Sequence, residues 1–353
     1  MALEQKSRAM TFPKVGKIII IFFAIAFVIV GARAYQLYSF IFEPNVKSQY
    51  VLLIDENTDY DQLVSKLEKE EVLDNLNAFS WVAKKKKYTD NVKAGRYVLT
   101  KDMTTNALVN KLRIGSQDPV DVTFNNVRIK EELAGKVSSY IWADSLSILN
   151  LFSNEQQIQD WGFNPETFRC MFIPNTYEMY WTSMAGDFAE RMHTEYERFW
   201  SSERKEKAKQ LELSPEEVSI LASIVESETA KSDELQTVAG LYINRLKRGI
   251  LLQADPTIKY AVGDFSIKRV LNKHLEIDSP YNTYKNLGLP PGPICFPSVK
   301  SIDAVLNYEK HNYIYMCAKE DFSGYHNFAA TLTQHNRNAA KYRAALNKNK
   351  IFK

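Results

Sequence analysis

The chain has 353 residues, 45% of them hydrophobic, and a formal charge of +3 spread along its length. That is enough apolar material for one large domain and one small one, which excludes a disordered protein, and the evenly spread charge excludes the basic stripe of a nucleic-acid binder. Cys170, Cys295 and Cys317 are too few and too scattered for a disulfide framework or a zinc site, leaving at most one Cys295–Cys317 bridge, and the five histidines show no ligand spacing. No metal and no cofactor is expected.

Lys6, Arg8, Lys14 and Lys17 stand against a single Glu4 before Ile18–Ala32, fifteen residues without a charge. Fifteen residues make only about 22 Å of helix against a hydrocarbon core of roughly 30 Å. Tyr35, Leu37, Tyr38, Phe40 and Ile41 continue the apolar character, and Arg33 can snorkel to the interface. A retained anchor over 18–38 is preferred to a cleaved signal peptide, for which Ala32, Arg33 and Ala34 offer a site. The positive residues place 1–17 in the cytoplasm and the remainder of the chain outside it.

Ser39 to Ser48 reads as a linker. Tyr50–Ile54 follows as a strand, then a helix capped by Thr58 with Leu63, Val64 and Leu67 on one face, and a second helix over about Leu76–Lys86 whose Lys84–Lys87 run is its solvated end. Gly95–Leu99 is a strand, Thr104 caps a helix containing Leu108, Val109 and Leu112, Gly115 ends it, and Val120–Phe124 alternates as another strand. From Arg128 to Arg204 the pattern is helical and aromatic-rich, with Trp142, Trp161, Trp181 and Trp200 more simply core than sugar platforms.

Ser214, Pro215 and Glu217 spell a helix start, so a helix runs from about Pro215 to Ala230. At roughly 100° per residue Val218, Leu221, Ala222, Val225 and Thr229 share a face, extended on one side by Ile220 and Ile224. Glu226 falls just past the other edge, beside Ser219, Ala222 and Ser223, whose small side chains leave space around a carboxyl group. Held against apolar surface, such a group has its pKa raised and becomes a proton donor near neutral pH. An ordinary ion-paired glutamate fits the same position. Glu228, on the far flank near Leu221 and Ile224, is the weaker candidate.

Downstream, Ser232 or Asp233 caps another helix that Gly249 ends, with Asn244 and Arg245 near that end. Gln253, Asp255 and Thr257 alternate along an extended segment and so share one face, as sugar-binding polar groups would. Asn282 and Tyr284 likewise share a face, and Pro290, Pro291 and Pro293 stiffen a loop. His326 and Asn327 lie in a turn leading to a final helix; whether His326 acts chemically or packs is open, with packing preferred. The tail from Asn336 to Lys353 reads as a basic amphipathic helix.

LASIVESETA at 221–230, VAGLYINR at 238–245, LQADPT at 252–257, YNTY at 281–284, GLPPGPI at 288–294 and HNFAATLTQHN at 326–336 occur in the order and spacing of the endolytic murein transglycosylases of the MltG type, the YceG-like family, which the chain resembles from about Val46 onward. The resemblance implies an α+β fold in which the N-terminal transmembrane helix is followed by a small LysM-like αβ domain, 46–124, and a larger mixed α+β catalytic domain, 125–353. LysM-type modules grip N-acetylglucosamine-containing glycans; a plain spacer is the alternative. FIPNTYEMYW at 172–181 is similar to the family's cleft-lining FPDTY segment, with Asn175 where Asp is usual and Arg169 where Glu is common. The implied reaction is lytic: one acid, Glu226, protonates the leaving N-acetylglucosamine oxygen, and the C6 hydroxyl of N-acetylmuramic acid closes a 1,6-anhydro ring. Gln253, Asp255, Thr257, Asn282, Tyr284 and Asn327 are the implied substrate contacts. Peptidoglycan strands, the membrane and peptidoglycan synthases are the implied partners. An inverting hydrolase using Glu226 with Asp255 or Glu228, and a non-catalytic wall-binding protein, are the rivals.

Overall fold

The computed structural model describes residues 14–267 and 269–349. Lys6 and Arg8, on which the cytoplasmic assignment partly rests, lie outside them, as do the last four residues of the tail. The chain divides into two compact units, Met1–Pro119 and Val120–Lys353.

The first unit opens with helix α1, Lys14–Phe42. It runs through the expected linker start, and the next residues are tied down by the bridges Pro44–Thr104 and Val46–Leu73. At 1.5 Å per residue α1 is about 43 Å long, enough to cross a hydrocarbon core. Its Ile18–Val30 side chains are largely exposed, while Ile41 packs on the unit's core and Phe40 meets Trp81 edge-on. Strand β1 (Tyr50–Ile54), helices α2 (Tyr60–Lys69) and α3 (Leu76–Lys85), strand β2 (Gly95–Leu99) and helix α4 (Thr105–Ile114) complete it. β1 and β2 pair antiparallel with Leu52 opposite Tyr97, over a core of Leu52, Leu63, Leu67, Phe79, Tyr97 and Leu108. Asp59 rather than Thr58 caps α2, because its carboxylate and Gln62 form a reciprocal capping box. Thr104 and left-handed Gly115 bound α4 as expected.

The second unit contains strand β3 (Val120–Phe124), helices α5 (Lys130–Ser138), α6 (Ser145–Leu151) and α7 (Glu155–Asp160), strand β4 (Asn175–Met179), and helices α8 (Ala185–Phe199), α9 (Ser202–Gln210), α10 (Pro215–Glu228), α11 (Leu235–Lys247), α12 (Asp255–Val262), α13 (Asn272–Leu275) and α14 (Val299–Leu306). The hairpin β5 (Tyr315–Ala318) and β6 (His326–Ala329) and helix α15 (Leu332–Lys348) close it. The architecture is mixed α+β, with three separate two-stranded antiparallel sheets among the described residues. β3 pairs with β4, Val122 opposite Tyr177, so the segment expected to end the small domain begins the large one and the boundary falls at Pro119/Val120. The NTYEM part of FIPNTYEMYW is that partner strand. Trp200 is wholly buried, and Trp142 and Trp181 stack on each other at 5.4 Å.

α10 runs through the middle of this unit, packed against α9, α11, α12 and α14. Ala222, Ile224 and Val225 are fully buried together with Ser219 and Ser223, so apolar and small polar residues alike are enclosed. The final-helix expectation shifts forward: β6 occupies 326–329, and Thr331 caps α15, which lies on β5 and β6.

Candidate active site

Ser214 and Glu217 form the capping box that starts α10, with Pro215 at its first position. The helix stops at Glu228, two residues short of expectation, because Thr229 turns extended at φ −137° and is buried. The last turn therefore presents Glu226 and Glu228 where the helix leaves the core, and both line a cavity of about 460 Å³ together with Arg128, Lys259 and Phe265.

Glu226 is half-buried, and its Oε2 accepts the Ser298 N–H at 2.6 Å. Ser298 caps α14, and four residues before that cap the Ser223 hydroxyl accepts the Ile294 N–H at 3.0 Å. The small polar face of α10 thus fastens the end of the proline-rich loop, a structural task for the residue the sequence favoured. The three cysteine thiols are free, and Cys295 rests against Ser227 and the Ser223 carbonyl.

Glu228 has the character of an acid. Tyr242 of α11 donates its hydroxyl to Glu228 Oε1 at 2.5 Å, and the other carboxyl oxygen has no hydrogen-bond partner among the described residues. Burial pushes this carboxyl up to about 7; the Asp255 charge adds to the rise, while the Tyr242 hydrogen bond and Lys259 oppose it. Burial and the facing carboxylate also drive the Tyr242 phenol far above its ordinary value, so it stays a donor. Glu228 lines a second cavity as well, of about 410 Å³, with Arg245, Gln253, Asp255, Tyr284 and His326 on its walls. Among the described residues it is the one common to both cavities' walls.

The expected substrate contacts divide. Gln253 and Asp255 are exposed on the second cavity; Gln253, at φ +50°, accepts from Arg245 Nη2 at 2.6 Å, and Asp255 accepts the Tyr284 hydroxyl at 2.6 Å. Thr257 does not share their face. Asp255 starts α12 instead of continuing a strand, and Thr257 is 0% exposed, donating to the Ala254 carbonyl and meeting the Thr283 hydroxyl. Asn282 is also 0% exposed; its amide donates to the Leu275 and Ile277 carbonyls and its oxygen accepts the Tyr284 N–H. It builds the turn that carries Tyr284 and does not share that residue's place on the cavity wall. Asn327 lies opposite Cys317 in the hairpin, donates to Glu320 and lines neither cavity, whereas its neighbour His326 faces the second. Asn244 and Arg245 order the wall: Asn244 donates to the His311 and Tyr313 carbonyls, and Arg245 to those of Leu251 and Ile314. Among the described residues no group of three or more His, Cys, Asp or Glu is placed to hold a metal ion.

The sequence profile of the YceG-like family matches residues 52–341. The chain belongs to this family. An endolytic murein transglycosylase of Bacillus subtilis (strain 168) is 29% identical over 320 residues, covering 86% of this chain and 88% of that one. An endolytic murein transglycosylase of Streptococcus pneumoniae is 26% identical over 366 residues, covering 92% of this chain but only 65% of the pneumococcal protein. The crystal structure of a yceG-like protein from Listeria monocytogenes, 27% identical, superposes with a TM-score of 0.55 over 82% of this chain and 99% of that one.

Proposed function

We propose that this YceG-like chain is an endolytic peptidoglycan lytic transglycosylase, cleaving the bond between N-acetylmuramic acid and N-acetylglucosamine inside a glycan strand to leave a 1,6-anhydro end. The observation that carries the reading is Glu228: a carboxyl held near neutral range at the meeting of two open cavities, in a family whose curated relatives bear that activity in their names. A glycosidic bond breaks when a proton reaches the leaving oxygen as charge develops at the anomeric carbon, and an acid with a pKa near the working pH serves best. Glu228 meets that requirement, and cavities on both sides of it suit a strand that continues past the cut.

The role given to Glu226 from the sequence thus passes to its neighbour two residues on. Gln253, Asp255 and Tyr284 are the contacts that remain available to sugar hydroxyls and amides; Thr257, Asn282 and Asn327 support the wall. In the single-carboxyl scheme Glu228 protonates the leaving oxygen and then takes the proton of the attacking C6 hydroxyl. Glu228→Gln is expected to fold and release no anhydro-ended products from purified peptidoglycan. Glu226→Gln is expected to keep measurable cleavage but to melt lower, since an amide is a weaker acceptor for the Ser298 N–H. Loss in Glu226→Gln alone would return the acid role to Glu226.

The further attributes of the reading are these. α1 anchors the chain in the cytoplasmic membrane with the rest outside the cytoplasm. The β1–α2–α3–β2 unit, whose element order suits a LysM-like module, holds glycan. The enzyme acts on nascent strands beside peptidoglycan synthases, terminating their elongation.

A further inference from the structure

The second cavity has a histidine on its wall that the single-carboxyl scheme leaves without a task. β6 brings His326 against Glu234, which is 7% exposed and precedes α11. Glu234 Oε1 accepts the His326 backbone N–H at 2.8 Å, and its Oε2 faces His326 Nδ1 at 2.9 Å and accepts from the Thr229 hydroxyl at 3.2 Å. Thr229 directly follows Glu228, so one buried carboxylate fixes both the end of α10 and the imidazole. An ionised carboxylate only accepts, which puts the ring hydrogen of neutral His326 on Nδ1 and leaves a lone pair on Nε2. His326 lines the cavity, and among the described residues Nε2 makes no hydrogen bond.

Tyr242, Tyr284, Arg245 and His335 on that cavity are less suited to accept a proton. Tyr242 and Tyr284 both donate, to Glu228 and Asp255, and burial holds both phenols above their usual range. Arg245 is committed to two carbonyls and Gln253. His335 is lowered by burial and by the Arg245 and Arg343 charges, and no buried carboxylate orients its ring.

We propose that His326, oriented by Glu234, takes the C6 hydroxyl proton through Nε2 while Glu228 protonates the leaving oxygen. The inference rests on the transglycosylase reading and divides between two groups what that reading assigned to one. The O6 electron pair forms the C1–O6 bond, the C1–O4 bond breaks with its pair on the leaving oxygen, and that oxygen receives the Glu228 proton. The O6 proton passes to Nε2, and Glu234 stabilises the imidazolium. Solvent returns the proton from His326 to Glu228 between turnovers, so no water is consumed.

The test uses the full chain in detergent on purified peptidoglycan, with products read by mass spectrometry. Wild type giving reducing ends in place of anhydro ends would overturn the transglycosylase reading itself, whatever His326 does. With anhydro ends formed, His326→Ala is expected to lower the rate at saturating glycan about 100-fold with KM within about threefold, and added imidazole to restore part of the rate. His326→Gln, whose amide can still donate to Glu234, is expected to melt with wild type yet lose rate similarly, and Glu234→Gln to lower the same parameter about 10-fold. A His326→Gln chain that turns over at the wild-type rate, or a His326→Ala loss confined to KM or unmoved by imidazole, would overturn the proposal.

Discussion

A carboxyl group raised from 4.5 to about 7 makes two demands of opposite kind on the protein. In the proposed role Glu228 works when protonated, so cleavage is expected to fall as pH rises through about 7. The Tyr242 hydroxyl favours the ionised form, so Tyr242→Phe should move that fall to higher pH; a fall that stays in place, or moves down, would remove Glu228 from the titration. Stability carries the second demand. Between those two values the folded chain holds a proton that the unfolded chain has released, so stability declines as pH rises from about 4.5 to 7, by on the order of 3 kcal/mol. Glu228→Gln still offers Tyr242 an acceptor but cannot ionise. It should melt with wild type near pH 4 and several degrees above it near pH 8. The same shift at both pH values would contradict the burial argument.

At the scale of elements, the helix starts and the proline-rich loop were legible to different degrees. Ser214, Pro215 and Glu217 announce α10, and Thr104 and Gly115 bound α4, because caps are local chemistry. Ser214→Ala should cost about 1 kcal/mol in a denaturant titration. The surroundings of Glu228 were not legible because helical projection describes the middle of a helix, whereas its partners arrive from α11 and α12. A tyrosine in the following helix, at 242, was the available signal. LQADPT resembled a strand by alternation, yet Pro256 at the second position of α12 is as good a helix-start sign. The proline-rich loop is held by close approach as well as by stiffness: a Cβ on Gly292 would lie 2.2 Å from the Glu166 carbonyl oxygen. Gly292→Ala should therefore destabilise by about 1–3 kcal/mol and lower activity with it.

For the whole molecule, the sequence motifs indicated family and fold class, while the chain divides at Pro119/Val120 and so puts the strand at Val120–Phe124 in the second unit. That strand could not be assigned from its pattern, since β-alternation names a strand but not its partner, and its partner lies some fifty residues on, at Asn175–Met179. If α1 anchors the chain, the full protein should stay with membranes through an alkaline wash, and a chain lacking residues before Phe42 should be released. The central claim is about chemistry: a strand is cut by its own C6 hydroxyl, with Glu228 supplying the proton. Mass spectrometry of the ends that the full chain makes on intact peptidoglycan tests it most directly. Ends lighter by one water than a reducing sugar, lost in Glu228→Gln, are the predicted result; reducing ends, or anhydro ends that persist in that variant, would contradict it.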